Sequence, residues 1–402
     1  MEQVLYKLPD GWEWQKLADV VVKTENLNPL KHADQLWTYI DISSVDRDRF
    51  AVTDPKEILG KDAPSRAKKH VQLNDVIFAT TRPNLKNIAL VRDEYSSPVA
   101  STGFCILRAN KKVLPAYLFY FVTTDFVQAQ IEPYVGGASY PAITDGNLKK
   151  APIPIPSIEE QKRIVEKLDA LLTRIDTAIE HLQESVALAD ALYASTINEQ
   201  MMQAIELAGL STVEKHIEQI QTGTTPPTKQ PEFYENGDIN WFAPSDFGDH
   251  DILSDSNKKL SQKAFDAGKA RKFDAGTIML VAIGATIGKI GYLEQDASSN
   301  QQITGMKFNS DIIPRYAYYW FRFIKPEILT NASTATLPII NQKGIKALSF
   351  CAPNRQLQET ICKKIDEVSS FRNTVKAELN EKVELMRSLK ASILDSAFKG
   401  EL

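Results

Sequence analysis

Two short strings in the chain contain residue types that bind phosphate or catalyse hydrolysis in other proteins. Residues 284–289 (GATIGK) look like a phosphate-binding loop. However, three residues separate the glycines instead of four, and Ile290 stands where Ser or Thr would bind magnesium. Asp54 and Glu57 offer nuclease-type carboxylates, but no second acidic strand accompanies them. We therefore predict a tight glycine turn and a loop at these places, without a nucleotide or nuclease site.

Methyl transfer and metal binding also lack a complete set of residues. An amino-methyltransferase needs an Asn/Asp-Pro-Pro-aromatic element, which residues 28–30 (NPL) and 226–228 (PPT) do not supply. The five histidines never pair at metal-ligand spacing. The three cysteines show neither metal nor redox spacing, and their odd number argues against a disulfide framework. We predict no catalytic residue and no metal site in this chain.

The composition is typical of a folded protein with more than one core. Hydrophobic residues make up 43% and charged residues 24% of 402 residues, which suggests two or three domains. The net charge is −4, but residues 61–92 hold seven bases against two acids, and residues 258–272 hold six against one. Such segments are either solvated faces or surfaces that contact nucleic acid.

The N-terminus and the apolar runs predict the cellular location. Residues 1–10 have no apolar signal core, and no apolar run reaches the ~18 residues of a membrane span. With the reducing environment that the cysteines suit, these features predict a cytoplasmic protein that does not associate with membranes.

The second half of the chain repeats the first at low identity. Five strings recur in the same order about 200 residues later, which indicates duplicated domains and not a solenoid. The matched strings are 37–43 with 239–245, 71–78 with 272–279, 115–120 with 314–319, 140–143 with 337–340, and 155–161 with 352–358. Each half begins with about 150 residues typical of short strands, turns and a few helices, and continues after a proline-rich stop into a long helical segment.

The two helical segments have the apolar spacing of a coiled-coil seam. Ser157 and Glu160 suit a capping box at the start of the first helix. Because a long helix cannot bury its stripe alone, we predict antiparallel pairing of the two helices; separate packing of each helix on its own domain is the alternative. The predicted stripes are Ile164, Leu168, Leu171, Ile175, Ala178 and Leu182, and Ile361, Ile365, Val368, Phe371, Val375, Leu379, Val383, Met386 and Ile393.

The order of globular and helical segments resembles the specificity subunits of type I restriction–modification systems. Four local strings support the resemblance over nearly the whole chain. They are 8–12 (LPDGW), 153–156 (IPIP) followed by EEQ at 159–161, 222–226 (TGTTP) and 396–402 (SAFKGEL). Residues 354–358 (NRQLQ) depart from the usual acidic-Gln start of the second helix.

The resemblance implies an α+β fold with two similar target-recognition domains that alternate with two long helices, paired as an antiparallel coiled coil. The implied segments are 1–156 and 206–353 for the recognition domains, and 157–205 and 354–402 for the spacer helices. Each domain is expected to read one half of a split target in double-stranded DNA. The helices are expected to set the gap between the halves and to dock two methyltransferase subunits.

The resemblance also implies how the work is divided in the complex. Adenine methylation belongs to the methyltransferase subunits, which bind S-adenosylmethionine, and two motor-nuclease subunits can join to make an endonuclease. This chain is then a non-catalytic specificity subunit without a cofactor. Two alternatives are a stand-alone DNA-modifying enzyme, which would transfer methyl groups by itself, and a coiled-coil scaffold, which would show no salt-dependent DNA binding.

Candidate DNA contacts follow from the chemistry of readout, in which Arg and Asn/Gln read base edges while Lys and Arg also position the protein on phosphates. Each candidate is either a DNA contact or a plain surface residue. In the first domain they are Lys68, Lys69, Arg82, Asn84, Lys86, Ser139 and Tyr140, and in the second Arg271, Lys272, Thr286, Lys289 and Thr334. Trp37 and Trp241 are predicted to be core residues and not stacking platforms.

Overall fold

The structure is a computed structural model, and it describes residues 5–137, 139–248, 252–332 and 337–402. The chain folds into two compact units. The first unit contains residues 1–183 and 380–402, and the second contains residues 184–379. Each unit therefore combines one recognition domain with one part of each long helix.

The first recognition domain is built from short strands, with its helices near the end. In chain order its elements are β1 Glu13–Lys16, α1 Leu17–Val20, β2 Val21–Val22, β3 Leu36–Ile40, β4 Val45–Asp46, β5 Ala51–Val52, β6 Lys56–Leu59, β7 Ala67–His70, β8 Val76–Ala79, β9 Ile88–Leu90, β10 Pro98–Ser101, β11 Phe104–Ala109, α2 Pro115–Val122, α3 Asp125–Ile131, α4 Asp145–Leu148 and β12 Pro152–Ile155. The first long helix, α5, spans Ile158–Ala208.

The second recognition domain repeats this order, with fewer strands among its described residues. Its elements are β13 Ser211–Thr212, β14 Ile217–Thr222, β15 Ile239–Phe242, β16 Ile252–Leu253, β17 Lys259–Leu260, α6 Gln262–Asp266, β18 Ile278–Val281, β19 Ile290–Leu293, β20 Ser298–Ser299, β21 Ile303–Phe308, α7 Pro314–Phe323, α8 Lys325–Asn331, α9 Gln342–Ala347 and β22 Ser349–Phe350. The second long helix, α10, spans Arg355–Lys399.

The sheets show the duplication strand by strand. In the first domain one sheet has the order β2-β11-β8-β9, and its counterpart in the second domain is β14-β21-β18-β19-β16. A second sheet, β6-β3-β10-β7, has its counterpart in β17-β15-β20, and each contains one parallel pair, β3-β10 or β15-β20. A two-stranded ribbon, β1-β12 or β13-β22, brings the start of each domain to its end.

An aromatic helix fills the core of each domain. α2 and α7 begin at a proline, which suits the first turn of a helix because its missing N–H has no partner there. Tyr117 and Tyr316 are fully buried at matching places, and their hydroxyls donate to the carbonyls of Pro154 and Cys351 at 2.8 and 3.0 Å. Each hydroxyl thus gives a hydrogen-bond partner to a buried carbonyl in the segment that leads into a long helix.

The two tryptophans are core residues, as the sequence predicts. Trp37 and Trp241 are 5% and 7% exposed. In strand register Val99 lies opposite Tyr39 and Ser298 lies opposite Trp241, so the counterpart of Trp241 is Tyr39, as in the match of 37–43 with 239–245.

The long helices run antiparallel within each unit, which confirms the predicted fold. In the first unit Asp176 pairs with Lys390 at 2.5 Å, and Arg163 donates to the carbonyl of Leu402 at 2.8 Å. In the second unit Asp190 pairs with Arg372 at 2.5 Å and Glu199 with Lys364 at 3.8 Å. Positions that rise along α5 therefore meet positions that fall along α10.

Two positions of the predicted stripes are wrong. Leu171 and Phe371 are 36% and 57% exposed, while their neighbours Leu172 and Arg372 are buried. The first stripe steps by four residues from Leu168 to Leu172, because this part of α5 also packs against the core of the recognition domain. Arg372 is buried because its guanidinium pairs with Asp190.

The capping box at the start of α5 forms only in part. The Glu160 N–H donates to Ser157 Oγ at 3.2 Å, but the Glu160 carboxylate pairs with Arg163 at 2.6 Å. In α10 the Leu357 N–H donates to Asn354 Oδ1 at 2.9 Å, so an Asx cap replaces the Ser cap.

Candidate nucleic-acid interface

Equivalent hairpin loops carry candidate residues in both domains. The loop of residues 80–87 joins β8 to β9, and the loop of residues 282–289 joins β18 to β19. In the first loop the Arg82 N–H donates to the Pro141 carbonyl at 2.7 Å; in the second the Gly284 N–H donates to the Pro338 carbonyl at 3.0 Å. Arg82 and Gly284 therefore occupy the same position in the two domains.

The first loop holds large side chains in a backbone conformation that favours glycine. Arg82 and Lys86 have φ angles of 50° and 51°, and the glycines at the matching places, Gly284 and Gly288, have φ angles of 108° and 83°. A left-handed φ is uncommon for a residue with a side chain, and it is found preferentially at functional sites. This marks Arg82 as a residue of interest beyond its charge.

Two sequence candidates of the first domain come together at this loop. The Arg82 guanidinium lies 5.4 Å from the centroid of the Tyr140 ring, and Tyr140 is 72% exposed. Arg82 is itself exposed. An aromatic face that supports a guanidinium limits the conformations of the arginine while its donors stay available to a ligand.

The candidates Lys69, Lys86 and Lys289 each have an internal partner. Lys69 Nζ pairs with Asp145 at 2.8 Å. Lys86 Nζ pairs with Asp125 at 2.6 Å and donates to the Thr123 carbonyl at 3.0 Å, and Lys289 Nζ donates to the Phe247 carbonyl at 2.8 Å. These contacts give each lysine a structural role, and contact with DNA stays a prediction for all three.

Arg271 and Lys272 are exposed but also engaged. Arg271 Nη1 donates to the Thr222 carbonyl at 2.6 Å, and Lys272 Nζ pairs with Asp296 at 2.6 Å. The hydrogen bond to Asp296 raises the pKa of the Lys272 ammonium above its usual value. Both cations remain at the surface of the second domain, where phosphate contact stays a prediction.

The remaining candidates lie on exposed loops. Asn84 and Thr286 are exposed at matching places in the two hairpin loops, and Lys68 and Ser139 are exposed in the first domain. Thr334 lies outside the described residues. The structure thus gathers Arg82, Asn84 and Tyr140 near one loop of the first domain.

Sequence reasoning missed a group of amides beside the second hairpin loop, at residues 300–302 (NQQ). Gln302 Nε2 lies 3.4 Å from the Ile283 carbonyl, and Asn300 Nδ2 donates to Gln302 Oε1 at 3.1 Å. Extending the repeat alignment through residues 101–103 (STG), which hold the matching place, would have shown that amides are present in only one half.

The glycine string 284–289 is a hairpin turn, because strand β19 and not a helix follows it. A phosphate loop needs the N-terminus of a following helix to bind the anion, so the geometry argues against nucleotide binding here.

Among the described residues there is no group of three or more His, Cys, Asp or Glu side chains placed to hold a metal ion. The helices of the described ranges include none whose length and apolarity would let it cross a membrane.

The sequence profile of a known family matches both halves of the chain. The family is described as the type I restriction modification DNA specificity domain, and the matches cover residues 9–187 and 215–385. The chain belongs to this family. Its two matches correspond to the two recognition domains, each with part of the helix that follows.

The chain is similar to relatives and solved structures over nearly its whole length. It is 23% identical to the type I restriction enzyme StySPI specificity subunit of Salmonella potsdam, over 98% of this chain and 90% of the relative. A solved chain from a study of assembly and conformational transition in the type I R-M system is 28% identical with a TM-score of 0.79, covering 99% of this chain and all of that one. The HsdS subunit of Thermoanaerobacter tengcongensis is 29% identical with a TM-score of 0.51, with both chains fully covered.

Proposed function

We propose that this specificity subunit reads a two-part sequence in double-stranded DNA, one part with each recognition domain. The observation that carries the proposal is the duplication of one domain layout with different side chains on the equivalent hairpin loops. A repeated framework with the same loops would read the same sequence twice. Different loops on one framework suit two different half-sites.

The chain is proposed to act without catalysing a reaction itself. Two methyltransferase subunits would dock on the long helices and methylate adenine with S-adenosylmethionine, and two motor-nuclease subunits would add cleavage. The missing Asn/Asp-Pro-Pro-aromatic element supports this division of work. The helices would also set the length of unread DNA between the half-sites.

Mapping of methylated adenines tests the proposal. Genomes are compared from cells that carry the cognate methyltransferase with and without this chain. We expect a methylated motif with two specified ends and an unspecified middle that depends on the chain. Methyl transfer by the purified chain alone, or an unchanged methylation map without it, would overturn the proposal.

A further inference from the structure

Two backbone positions hold opposite residue types in the two domains. The Thr80 N–H donates to the Gly103 carbonyl at 2.8 Å, and the Ala282 N–H donates to the Gln302 carbonyl at 2.8 Å, so Gly103 and Gln302 are equivalent. At the neighbouring position, Arg82 is equivalent to Gly284. Each domain therefore carries one long polar side chain and one glycine at this pair of positions, in reversed order.

The exchange is complementary in space. A Cβ atom built on Gly284 would lie 3.1 Å from Gln302 Nε2, so the Gln302 amide occupies the space beside Gly284. In the first domain, Arg82 takes the place of Gly284 and Gly103 takes the place of Gln302. The polar group at the hairpin thus comes from the loop in the first domain and from the residue that precedes strand β21 in the second.

We propose that Gln302 is a specificity-determining residue of the second domain, whose amide reads a base edge in the place of its candidate counterpart in the first domain, Arg82. The inference rests on the proposed function. It implies that Arg82 reads a guanine in the first half-site and that Gln302 reads an adenine in the second. Arginine offers two donors to guanine O6 and N7, whereas glutamine offers the donor and acceptor that adenine N7 and N6 require.

Both side chains are oriented by neighbours and keep the groups that readout needs. Tyr140 supports Arg82 from one face. Asn300 donates to Gln302 Oε1 and thereby orients the amide. The Gln302 amide also donates one hydrogen to the Ile283 carbonyl. Since an amide oxygen has two lone pairs and its nitrogen two hydrogens, one acceptor and one donor position of Gln302 remain available.

Base substitution at each half-site tests the inference. The assembled complex carries Arg82→Ala, Gln302→Ala or the isosteric Gln302→Glu, and methylated adenines are mapped on the genome of the expressing cell. For each alanine variant we expect a roughly 5- to 150-fold loss of discrimination at one base of its own half-site, with the other half unchanged. Gln302→Glu keeps the shape but only accepts hydrogen bonds, so the preferred base should change from adenine to cytosine.

A variant that binds DNA but does not methylate it is tested by binding. The same complexes select duplexes from a randomised library, and the selected duplexes give the sequence preference. If both Gln302 variants left the sequence preference at the second half-site unchanged, the inference would be overturned. It would also be overturned if the Gln302 variants relaxed the sequence preference at the first half-site. Exchange of a whole recognition domain separates this failure from failure of the proposed function. If the exchange still moves one half-site, only the role of Gln302 is wrong; if it moves neither, the proposed function is wrong.

Discussion

The two recognition domains share their framework but differ in how they hold charge. In the first domain, Arg108 pairs with Asp75 at 2.7 Å, and the Asp75 side chain is 1% exposed. In the second, Lys307 stands at the place of Arg108 and pairs with Asp274 at 2.8 Å, where both side chains are at least 36% exposed. The same strand edge therefore has a buried ion pair in one domain and a solvated pair in the other.

Contacts that join each domain to its long helix are retained instead. Gln161 and Gln358 are almost fully buried in the first turns of α5 and α10. Gln161 donates to the carbonyls of Lys112 and Pro156 and accepts from the Leu114 N–H. Gln358 makes the same three bonds to the corresponding residues, at 2.8 to 2.9 Å. The domain–helix junction is thus repeated closely, whereas the hairpin loops and charged surfaces have diverged.

Insertions in the helices have the largest expected effect. They test whether the two domains need a fixed register of the paired helices. Two residues added after positions 183 and 379 turn the apolar stripe by about 200°, so folding or assembly should be lost. Four added residues turn it by about 400°, a net change of about 40°, and lengthen each helix by about 6 Å. Pairing should then survive, and the unread middle of the motif should grow by one or two base pairs, since DNA rises about 3.4 Å per base.

Methylated-motif mapping of both insertion variants provides the measurement. An active four-residue variant with an unchanged gap would show that the helices do not set the spacing. Equal activity of the two-residue variant would show that the stripe register is unimportant.

Loss of one cation should affect the two domains unequally. Arg108→Met leaves the buried Asp75 carboxylate without its partner, and the expected cost is about 3 kcal/mol of unfolding free energy. Lys307→Met removes an exposed pair and should leave the unfolding midpoint unchanged within error. Denaturant titration of the two variants makes the comparison. Equal destabilisation would mean that the difference in burial has no energetic consequence.

Two neighbouring lysines of the first domain sharpen the comparison at the DNA surface. Lys68 is exposed, whereas Lys69 already pairs with Asp145. Lys68→Ala should reduce the slope of log binding constant against log salt by about 1 without changing sequence preference, and Lys69→Ala should reduce it less. Salt titration of DNA binding by the assembled complex measures both slopes. A larger effect of Lys69→Ala would show that Asp145 releases the lysine to the phosphates.

The sequence predicted the features that depend on local periodicity. Repeated strings indicated the duplication, and stripes of apolar residues indicated the long helices and their pairing. Adjacent leucines at 171 and 172 made the exact stripe ambiguous, because either residue continues the pattern with an allowed step of three or four. The burial of Arg372 depends on a partner far away in sequence, Asp190, and periodicity does not contain that information.

The candidate site was harder to predict because its residues meet through the fold. The sequence drew attention to Arg82 and Tyr140 separately, but their contact follows from the pairing of residue 82 with Pro141. The internal partners of Lys69, Lys86 and Lys289 are likewise distant in sequence. Gln302 was missed because the segment that contains it has almost no identity between the halves.

Exchange of one recognition domain tests the central claim, that each domain reads its own half-site. Residues 1–150 are replaced by the matching domain of a relative with a different target, and methylated adenines are mapped in cells that carry the cognate methyltransferase. We expect one half of the motif to change to that of the donor, while the other half and the gap stay as they were. A motif that changed in both halves, or in neither, would contradict independent reading by the two domains.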